Sequence, residues 1–352
     1  MTNNITDVFP RRLRQARLMR GLSLEKLAQT LSTSVTRQAI NKYESGQMKP
    51  DSRVLIALAS ALNVKIDYFF RPFTVEIDRV DFRKKPGFTE KMAISIKERV
   101  REELERYLEI EELSDSAIRF TLPRKEVGNI DDARIFAGEI RNLLRLGNDG
   151  ISNVIEVLED NGIKVIELSA NDDFDGLSGY ANGTIPIIVV NGNFSTERKR
   201  YTSLHELGHL LLITPEGLPA KTVEAICNAF ASEMLLPSSV LTAKIGKLRH
   251  DISLSELTDI QRQFGISVDD IMQALCEHEV ITARRYSGFQ KKKSTMPDFR
   301  ASVEKSRVEP ERSGRFARMV YRALADEAIT FSKAAVLLNT SVDEVKSNLQ
   351  LV

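Results

Sequence analysis

The segment His205-Glu206-Leu207-Gly208-His209 constrains this chain most strongly, because it uses two of only four histidines at a spacing suited to metal ligands. On a helix, residues i and i+4 lie on the same face, so both imidazoles can reach one tetrahedral zinc ion. Glu206 then lies beside the ion, where it can accept a proton from activated water and pass it to a leaving amine. The alternative is a buried amphipathic helix with incidental histidines, which gives no reason for a glutamate between them.

A catalytic zinc site needs a third protein ligand and keeps one position for water. Prolines and a glycine at residues 214–219 mark a turn, and apolar residues at helical spacing follow over residues 221–236, which predicts an antiparallel helix pair. Glu224 lies in the first turn of the second helix, one short loop from His209, and is the favoured third ligand. The other candidates are Glu216, Glu233 and His250.

Two stretches around this helix pair resemble the ImmA/IrrE family of zinc metallopeptidases. They are Arg200-Tyr201-Thr202 leading into HELGH, and EAICNAFASEMLLP at residues 224–237. The family's second signature reads Glu-x-x-Ala-Asn-x-Phe-Ala, and this chain departs from it at Cys227, which takes the alanine position. The resemblance covers roughly residues 130 to 285. It implies zinc ligands His205, His209 and Glu224, with Glu206 as the catalytic base.

A peptidase also needs a hydrogen-bond donor near the charge that develops on the carbonyl oxygen. Tyr180 and Arg200 are the candidate donors. Tyr180 follows Ser178-Gly179 just before an apolar run, Ile185 to Val190, which predicts a strand whose edge can take a substrate backbone as a further strand. Packing is the alternative role for Tyr180, and pairing with a carboxylate is the favoured role for Arg200.

Positive charge is concentrated near the N-terminus, although the whole chain carries a formal net charge of only +1. Residues 10–53 contain ten Lys or Arg against three Asp or Glu. Apolar residues at helical spacing predict a first helix ending at Gly21, a second capped by Ser23, and further helices after a polar turn at residues 32–35. This pattern predicts a compact helix-turn-helix module, and its charge suits a polyanion.

Residues 9 to 70, including Tyr43-Glu44-Ser45-Gly46 and Pro50, resemble the XRE family of DNA-binding domains, the type found in Cro and phage repressors. The resemblance implies a recognition helix in the major groove of double-stranded DNA and a homodimer on two half-sites. The turn before this helix looks about two residues longer than usual, which leaves the start of the helix open by a residue or two. The implied DNA-contacting residues are Thr36, Arg37, Gln38, Asn41 and Lys42, with Ala39 and Ile40 packed inward.

The length of 352 residues suggests two or three domains. The predicted fold class is mainly α with a small β-sheet (α+β): an N-terminal helix-turn-helix bundle, a zincin-like HExxH peptidase domain and a helical C-terminal region. The predicted units are 9–72 (helix-turn-helix), 73–129 (charged helical linker), 130–286 (metallopeptidase) and 298–352 (helical C-terminal domain). Within the linker, apolar residues from Phe88 to Leu113 predict one long helix that pairs with a second copy or, as is favoured, docks on the peptidase domain.

No apolar run approaches the roughly 20 residues that span a bilayer, and the first residues do not begin a secretion signal. The two cysteines, Cys227 and Cys276, give no disulfide framework, which fits a reducing compartment. We therefore expect a cytoplasmic protein without a membrane partner. Cys227 is expected to be a small buried thiol rather than a redox switch.

Two functions from different classes fit this sequence. In the first, a DNA-binding regulator is fused to a zinc metalloendopeptidase that cleaves a regulatory protein such as a repressor, which releases genes for stress, defence or mobile elements, as the ImmA/IrrE resemblance implies. In the second, the chain is a non-proteolytic DNA-binding regulator or an antitoxin that represses its operon and neutralises a partner toxin. Glu206→Gln distinguishes them, because only the first function depends on this carboxylate.

Overall fold

The N-terminal part of the computed structural model is a bundle of four α-helices followed by a 3-10 helix. The structure describes residues 5–31, 33–82 and 87–349. The α-helices are α1 (Ile5–Met19), α2 (Leu24–Thr30), α3 (Arg37–Glu44) and α4 (Ser52–Leu62), and the 3-10 helix spans Ile66–Phe70. Gly21 follows α1 with a φ of +61°, and the predicted cap Ser23 accepts a hydrogen bond from the Lys26 backbone. The glycine after α1 and the serine cap of α2 explain why the turn between these helices lies where the sequence predicts.

Six strands follow along the chain. They are β1 (Ile77–Phe82), β2 (Lys125–Glu126), β3 (Lys164–Leu168), β4 (Gly176–Ala181), β5 (Ile185–Asn191) and β6 (Leu212–Ile213). Four of them form one sheet in the order β1-β4-β5-β3, whereas β2 and β6 form a separate parallel pair. In the main sheet β4 is antiparallel to both β1 and β5, and β3 is parallel to β5. The strand predicted from the apolar run at 185–190 is β5.

One face of the sheet is covered by a single long helix, α5 (Glu90–Leu113), which Thr89 caps. Ile96, Val100 and Leu104 on this helix are buried against Leu177 and Val189 of the sheet. The apolar stripe of the linker therefore docks inside the chain, as the sequence analysis favours. The linker also contains β1, a strand that the sequence analysis does not predict.

The opposite face of the sheet packs on a layer of helices that share the largest apolar core. The helices that follow α5 are α6 (Ile130–Leu143), α7 (Val154–Asp160), α8 (Thr196–Leu211), α9 (Ala220–Leu235), α10 (Ser238–Ile245), α11 (Leu254–Phe264), α12 (Val268–Glu277), α13 (Ala283–Thr295) and α14 (Pro297–Glu304). The mixture of helices with a small sheet confirms the α+β fold class, while the predicted domain boundaries stay predictions.

The polar stretch at 287–297, which the sequence analysis assigns to no domain, lies mostly within α13. Its helical conformation depends on a few contacts: Phe289 is buried and meets the ring of Phe299 edge-on, and Lys293 Nζ lies 2.7 Å from Asp269 Oδ2. Three further helices, α15 (Arg315–Ala325), α16 (Phe331–Leu337) and α17 (Val342–Asn348), complete the described chain. They share a core with Tyr107 and Ile110 of α5.

One buried arginine helps to fix the helix-turn-helix bundle to the rest of the molecule. Arg12 Nη1 donates to Glu105 Oε2 on α5 at 2.7 Å, and its Nε donates to the carbonyl oxygen of Arg71 at 2.8 Å. Its Nη2 donates to the carbonyl oxygen of Pro72, just before β1. The Arg12 side chain therefore joins the bundle to α5 and to the chain that leads into the sheet. Among the helices of the described ranges, none combines the length and the apolar character needed to cross a membrane.

Candidate metal centre and DNA-binding surface

Helix α8 carries the HELGH segment and is held at its N-terminal half by buried charged groups. Ser195 caps the helix by accepting from the Arg198 backbone. Arg200 forms an ion pair with Glu311 and donates to the carbonyl oxygens of Ile151 and Phe264. Arg200 thus has the structural role that the sequence analysis favours, and its bonds leave it turned away from a substrate.

The structure brings together the three ligands that the resemblance implies. His205 Nε2 and His209 Nε2 lie 3.1 Å apart, and each lies 3.5 Å from a carboxylate oxygen of Glu224 on α9. A tetrahedral zinc ion with bonds of about 2.0–2.1 Å separates its ligand atoms by roughly 3.3 Å. These separations and the donor set of two imidazoles and one carboxylate therefore fit a catalytic zinc site.

The other candidate ligands lie elsewhere. Glu233 Oε1 accepts hydrogen bonds from the backbone N–H and the hydroxyl of Ser238 and so stabilises the start of α10. Glu216 and His250 are exposed. Among the described residues, the group His205, His209 and Glu224 is the one whose side chains converge as a metal site would require.

Glu206 is buried against the middle of the sheet, with a 3% exposed surface. Ser178 on β4 donates from Oγ to Glu206 Oε2 at 2.7 Å. The close approach of β4 to α8 depends on Gly176, because a Cβ atom there would lie 2.6 Å from Thr202 Cγ2. The strand therefore holds the candidate base in position.

The sequence analysis overlooks Ser178 and singles out Tyr180. Because side chains alternate along a strand, Ser178 and Tyr180 lie on the same face of β4, and this alternation is the available sequence signal for Ser178. Tyr180 is half-buried and packs against the large core on the α8 side of the sheet. The strand whose edge the sequence analysis expects to be open is β5, but β5 lies between β4 and β3. The edge of β4 beside Tyr180 is also covered, because β1 pairs with it and Asp78 is the partner of Tyr180.

The surroundings of the His209 imidazole favour positive charge. His205 is fully buried, whereas the His209 side chain is 27% exposed, so the centre opens towards solvent on the His209 side. Burial lowers the pKa of His209, but hydrogen bonds with Cys227 and Glu224 outweigh this effect and raise the pKa to about 10. A group of side chains that stabilises an imidazolium also stabilises a bound cation.

The recognition helix expected from the sequence is α3. It begins at Arg37, and Thr36 caps it by accepting from the Ala39 backbone, which fixes the start that the sequence left open. Ile40 is buried and Ala39 is half-buried, as expected. The predicted contact residues Thr36, Arg37, Gln38, Asn41 and Lys42 are all exposed. Arg17 Nε lies 2.6 Å from Glu44 Oε1, so an ion pair fixes α3 against α1.

Two family models match this chain, one over the region that contains α3 and one over the region that contains the candidate metal centre. Residues 13–69 match the family model described as helix-turn-helix, and residues 158–275 match the model described as IrrE N-terminal-like domain. The chain joins an XRE-type helix-turn-helix domain to an IrrE-like domain. The IrrE-like domain contains β3, β4, β5 and the helices α8 and α9 that carry the candidate metal ligands.

The helix-turn-helix domain is also similar to a curated protein of Bacillus subtilis (strain 168), the SPbeta prophage-derived uncharacterized HTH-type transcriptional regulator YonR. The two are 32% identical over 71 residues, which are 20% of this chain and 64% of the relative. The match thus covers less than two thirds of that protein.

Proposed function

We propose that this protein is a DNA-binding transcriptional regulator that carries a zinc metalloendopeptidase, and that the peptidase cleaves a regulatory protein such as a repressor. The observation that carries the proposal is the convergence of His205, His209 and Glu224, whose ligand atoms lie within 4.8 Å of one another, beside the buried carboxylate of Glu206. The match of this region to the IrrE-like model supports the same class of reaction.

Each residue of the centre has a distinct role in this proposal. Zinc bound by the two histidines and Glu224 would supply Lewis-acid chemistry for amide hydrolysis. Glu206 accepts the proton of the attacking water and delivers it to the leaving amine. Ser178 keeps the Glu206 carboxylate oriented through its 2.7 Å hydrogen bond. Tyr180, two residues further along the same face of β4, donates a hydrogen bond to the developing oxyanion.

In this proposal, the helix-turn-helix domain brings the peptidase activity to promoters. Helix α3 enters the major groove of double-stranded DNA, and its exposed polar side chains meet base edges and phosphates. Gln38 and Asn41 have amides suited to adenine, and Arg37 suits guanine or phosphate. The protein binds two half-sites as a homodimer, as this type of module does.

The deciding experiment compares new protein N-termini in native-host cells that make the wild-type protein or Glu206→Gln under inducing stress. New termini found only with the wild type identify the substrate and support the peptidase. The variant removes the proton acceptor but keeps the metal ligands, so zinc content measured on both purified proteins is the control. Identical sets of termini, with both proteins folded and zinc-loaded, would exclude proteolysis as the function.

The second candidate is a non-proteolytic regulator or antitoxin that represses its own operon and neutralises a partner toxin. It is favoured by the 3% exposure of Glu206 and by the covered edge of β4, which together leave little access for a peptide in this state. Under this function Glu206→Gln is silent. Loss of operon repression or of toxin neutralisation on changes in α3, with Glu206→Gln behaving as wild type, would support it.

A further inference from the structure

The edge of β4 is covered by a strand from outside the IrrE-like domain. The segment that matches the family model, residues 158–275, supplies β3, β4 and β5, whereas β1 comes from residues 77–82. In the order β1-β4-β5-β3, the three family strands alone would leave β4 at the edge. An edge strand presents backbone N–H and C=O groups that bind another extended chain.

This edge adjoins the candidate catalytic base. Asp81 of β1 is the partner of Ser178, and Asp78 is the partner of Tyr180. Ser178 in turn donates to Glu206. Since neighbouring strands lie about 4.8 Å apart, a chain paired with β4 passes one strand spacing from the serine that holds Glu206. The pairing of β1 with β4 is antiparallel.

The N-terminal end of β1 is anchored by buried side chains and by Asn182. At its N-terminal end, Val75 and Ile77 are buried, and Asn182 binds the backbone on both sides. Asn182 Oδ1 accepts from Glu76 N at 2.8 Å, and Asn182 Nδ2 donates to the Thr74 carbonyl oxygen at 3.2 Å. Towards the other end, the register shifts between Asp78 and Asp81. A bulge interrupts regular pairing, so β1 pairs with β4 in two short stretches, 77–78 and 81–82, rather than along its whole length.

We propose that β1 is an internal occupant of the peptide-binding edge of the IrrE-like domain, and that a substrate binds antiparallel to β4 only after β1 has left it. This inference rests on the proposed peptidase function and deepens it. The substrate class is an extended polypeptide segment, which binds mainly through backbone hydrogen bonds. The resting protein is self-inhibited because its own chain fills the position of that segment.

The test uses full-length, zinc-loaded protein with Glu206→Gln, so that a bound peptide is not cut. A locked form combines Phe82→Cys with Leu177→Cys, because these two residues are cross-strand partners at the distance range that a disulfide spans. A released form carries Asn182→Gly, which deletes both side-chain bonds and suits the φ of +49° at this position. Asn182→Asp is its matched control, since it keeps an acceptor for Glu76 N.

The probe is a fluorescent peptide with the sequence of residues 75–82, VEIDRVDF, and its binding is measured by anisotropy. We expect the oxidised locked form to bind it at least tenfold more weakly than the same protein after reduction, with Leu177→Cys alone insensitive to reduction. We expect Asn182→Gly to bind at least tenfold more tightly than Asn182→Asp. Equal binding by the oxidised and reduced locked protein, or the absence of binding by Asn182→Gly, would overturn the proposal.

Hydrogen exchange separates this result from misfolding. In Asn182→Gly the amides of β1 should exchange faster while those of β5 stay protected, and loss of protection in both strands would show that the sheet itself has failed. Failure of the peptidase proposal gives a different pattern. If wild-type cells show no new protein N-termini that Glu206→Gln cells lack, the enzyme assignment fails, while redox-dependent peptide binding keeps the assignment of the edge.

Discussion

At the scale of single residues, the two histidines of the metal centre have unlike surroundings. His209 Nδ1 lies 3.6 Å from Cys227 Sγ. His205 Nδ1 is buried and has no hydrogen-bond partner within the described ranges. A metal-binding imidazole is normally oriented by a bond from its second nitrogen, so Cys227, which replaces the family's alanine, is the side chain that orients His209.

This arrangement predicts that Cys227→Ala weakens zinc binding. We expect an affinity loss of about tenfold, at the lower end of the range for outer-shell changes, because a thiol is a weak hydrogen-bond partner. Competition with a chromophoric chelator measures it. Cys276→Ala is the control, since Cys276 is the other free cysteine, and equal affinities for the two variants would contradict the role of Cys227.

The third ligand gives a stronger prediction. Glu224→Gln should lose more affinity than the roughly 10–100-fold typical of an outer-shell change, because it replaces a negative ligand by a neutral amide. Glu216→Gln, which removes an exposed carboxylate on the preceding loop, should bind zinc as the wild type does. Metal stoichiometry after dialysis measures both variants. A metal-free Glu216→Gln protein would show that the choice of Glu224 over Glu216 as the third ligand is wrong.

The candidate metal ligands could be predicted from the sequence because helical spacing fixes which residues share a face. His205, His209 and Glu224 all follow from one helix and a short turn. Ser178 could not, since a serine in a strand gives no sign of which carboxylate it meets 28 residues later. The covered edge beside Tyr180 could not be predicted either, because the strand that covers it lies about 100 residues away in sequence.

At the scale of elements, α8 is joined to the segment before α15 by polar contacts rather than by apolar packing alone. Glu197 accepts hydrogen bonds from Gln261 Nε2 at 2.8 Å, Ser306 Oγ at 2.8 Å and Arg307 N at 2.9 Å. Arg200, one turn later, pairs with Glu311. The orientation of the metal helix therefore depends on residues 305–311, far along the chain.

Arg200→Met should destabilise the protein by about 3–5 kcal/mol, the usual effect of leaving a buried charge without its partner. Glu311→Gln added to it should restore most of the loss, because a neutral amide oxygen can still accept from Val154 N, which now donates to Glu311 Oε2 at 3.1 Å. Urea unfolding followed by circular dichroism measures the single and double variants. Additive losses would mean that the two side chains act independently.

Glu159 on α7 makes stability depend on pH. Burial raises its pKa to about 7, although a hydrogen bond from Ser313 opposes the rise. Between the unfolded value near 4.5 and about 7, the folded state holds the proton more tightly, so stability falls as pH rises through this window. Glu159→Gln, which imitates the protonated form, should flatten this slope and raise the unfolding midpoint at pH 8.

The measurement is thermal unfolding of wild type and Glu159→Gln at pH 5, 6, 7 and 8. Glu156→Gln on the same helix is the control, because its carboxylate is more exposed and pairs with Arg318 at the surface. If the unfolding midpoint of Glu159→Gln depends on pH as steeply as that of the wild type, another group causes the pH dependence.

Most helices follow from apolar spacing and caps, as α5, α8 and α9 show. The strand β1 does not, because its sequence, IDRVDF, has neither a long apolar run nor strict alternation. It becomes a strand through its pairing with β4, which is a long-range interaction. The helical conformation of the basic stretch in α13 likewise depends on the buried ring of Phe289 rather than on local periodicity.

At the scale of the whole molecule, the DNA-binding surface and the metal centre belong to one packed structure. The helix-turn-helix domain is not tethered by a loose linker, since Arg12 is fully buried between it and α5. Ser95 Oγ on α5 also donates to the carbonyl oxygen of Met19 at 2.8 Å. The domain therefore presents α3 in a defined orientation relative to the sheet.

Full-length protein should bind its operator through α3. Arg37→Ala should weaken specific binding by about 1–3 kcal/mol if the side chain reads a base, or reduce the salt dependence by about one counterion if it contacts phosphate. Arg322→Ala is the matched control, because this exposed arginine lies on α15 and pairs only with the nearby Asp326 among described residues. Titrations at several salt concentrations that give the same change for both variants would place the DNA surface elsewhere.

The carbonyl oxygens that Arg12 binds belong to Arg71 and Pro72, and β1 begins only five residues after Pro72. Because this connection is short, a peptide that displaces β1 also shifts Arg71 and Pro72, which bind Arg12 of the DNA-binding domain. Binding of the operator and binding of the peptide are then thermodynamically coupled. By thermodynamic reciprocity, the factor by which DNA changes the affinity for a peptide equals the factor by which the peptide changes the affinity for DNA.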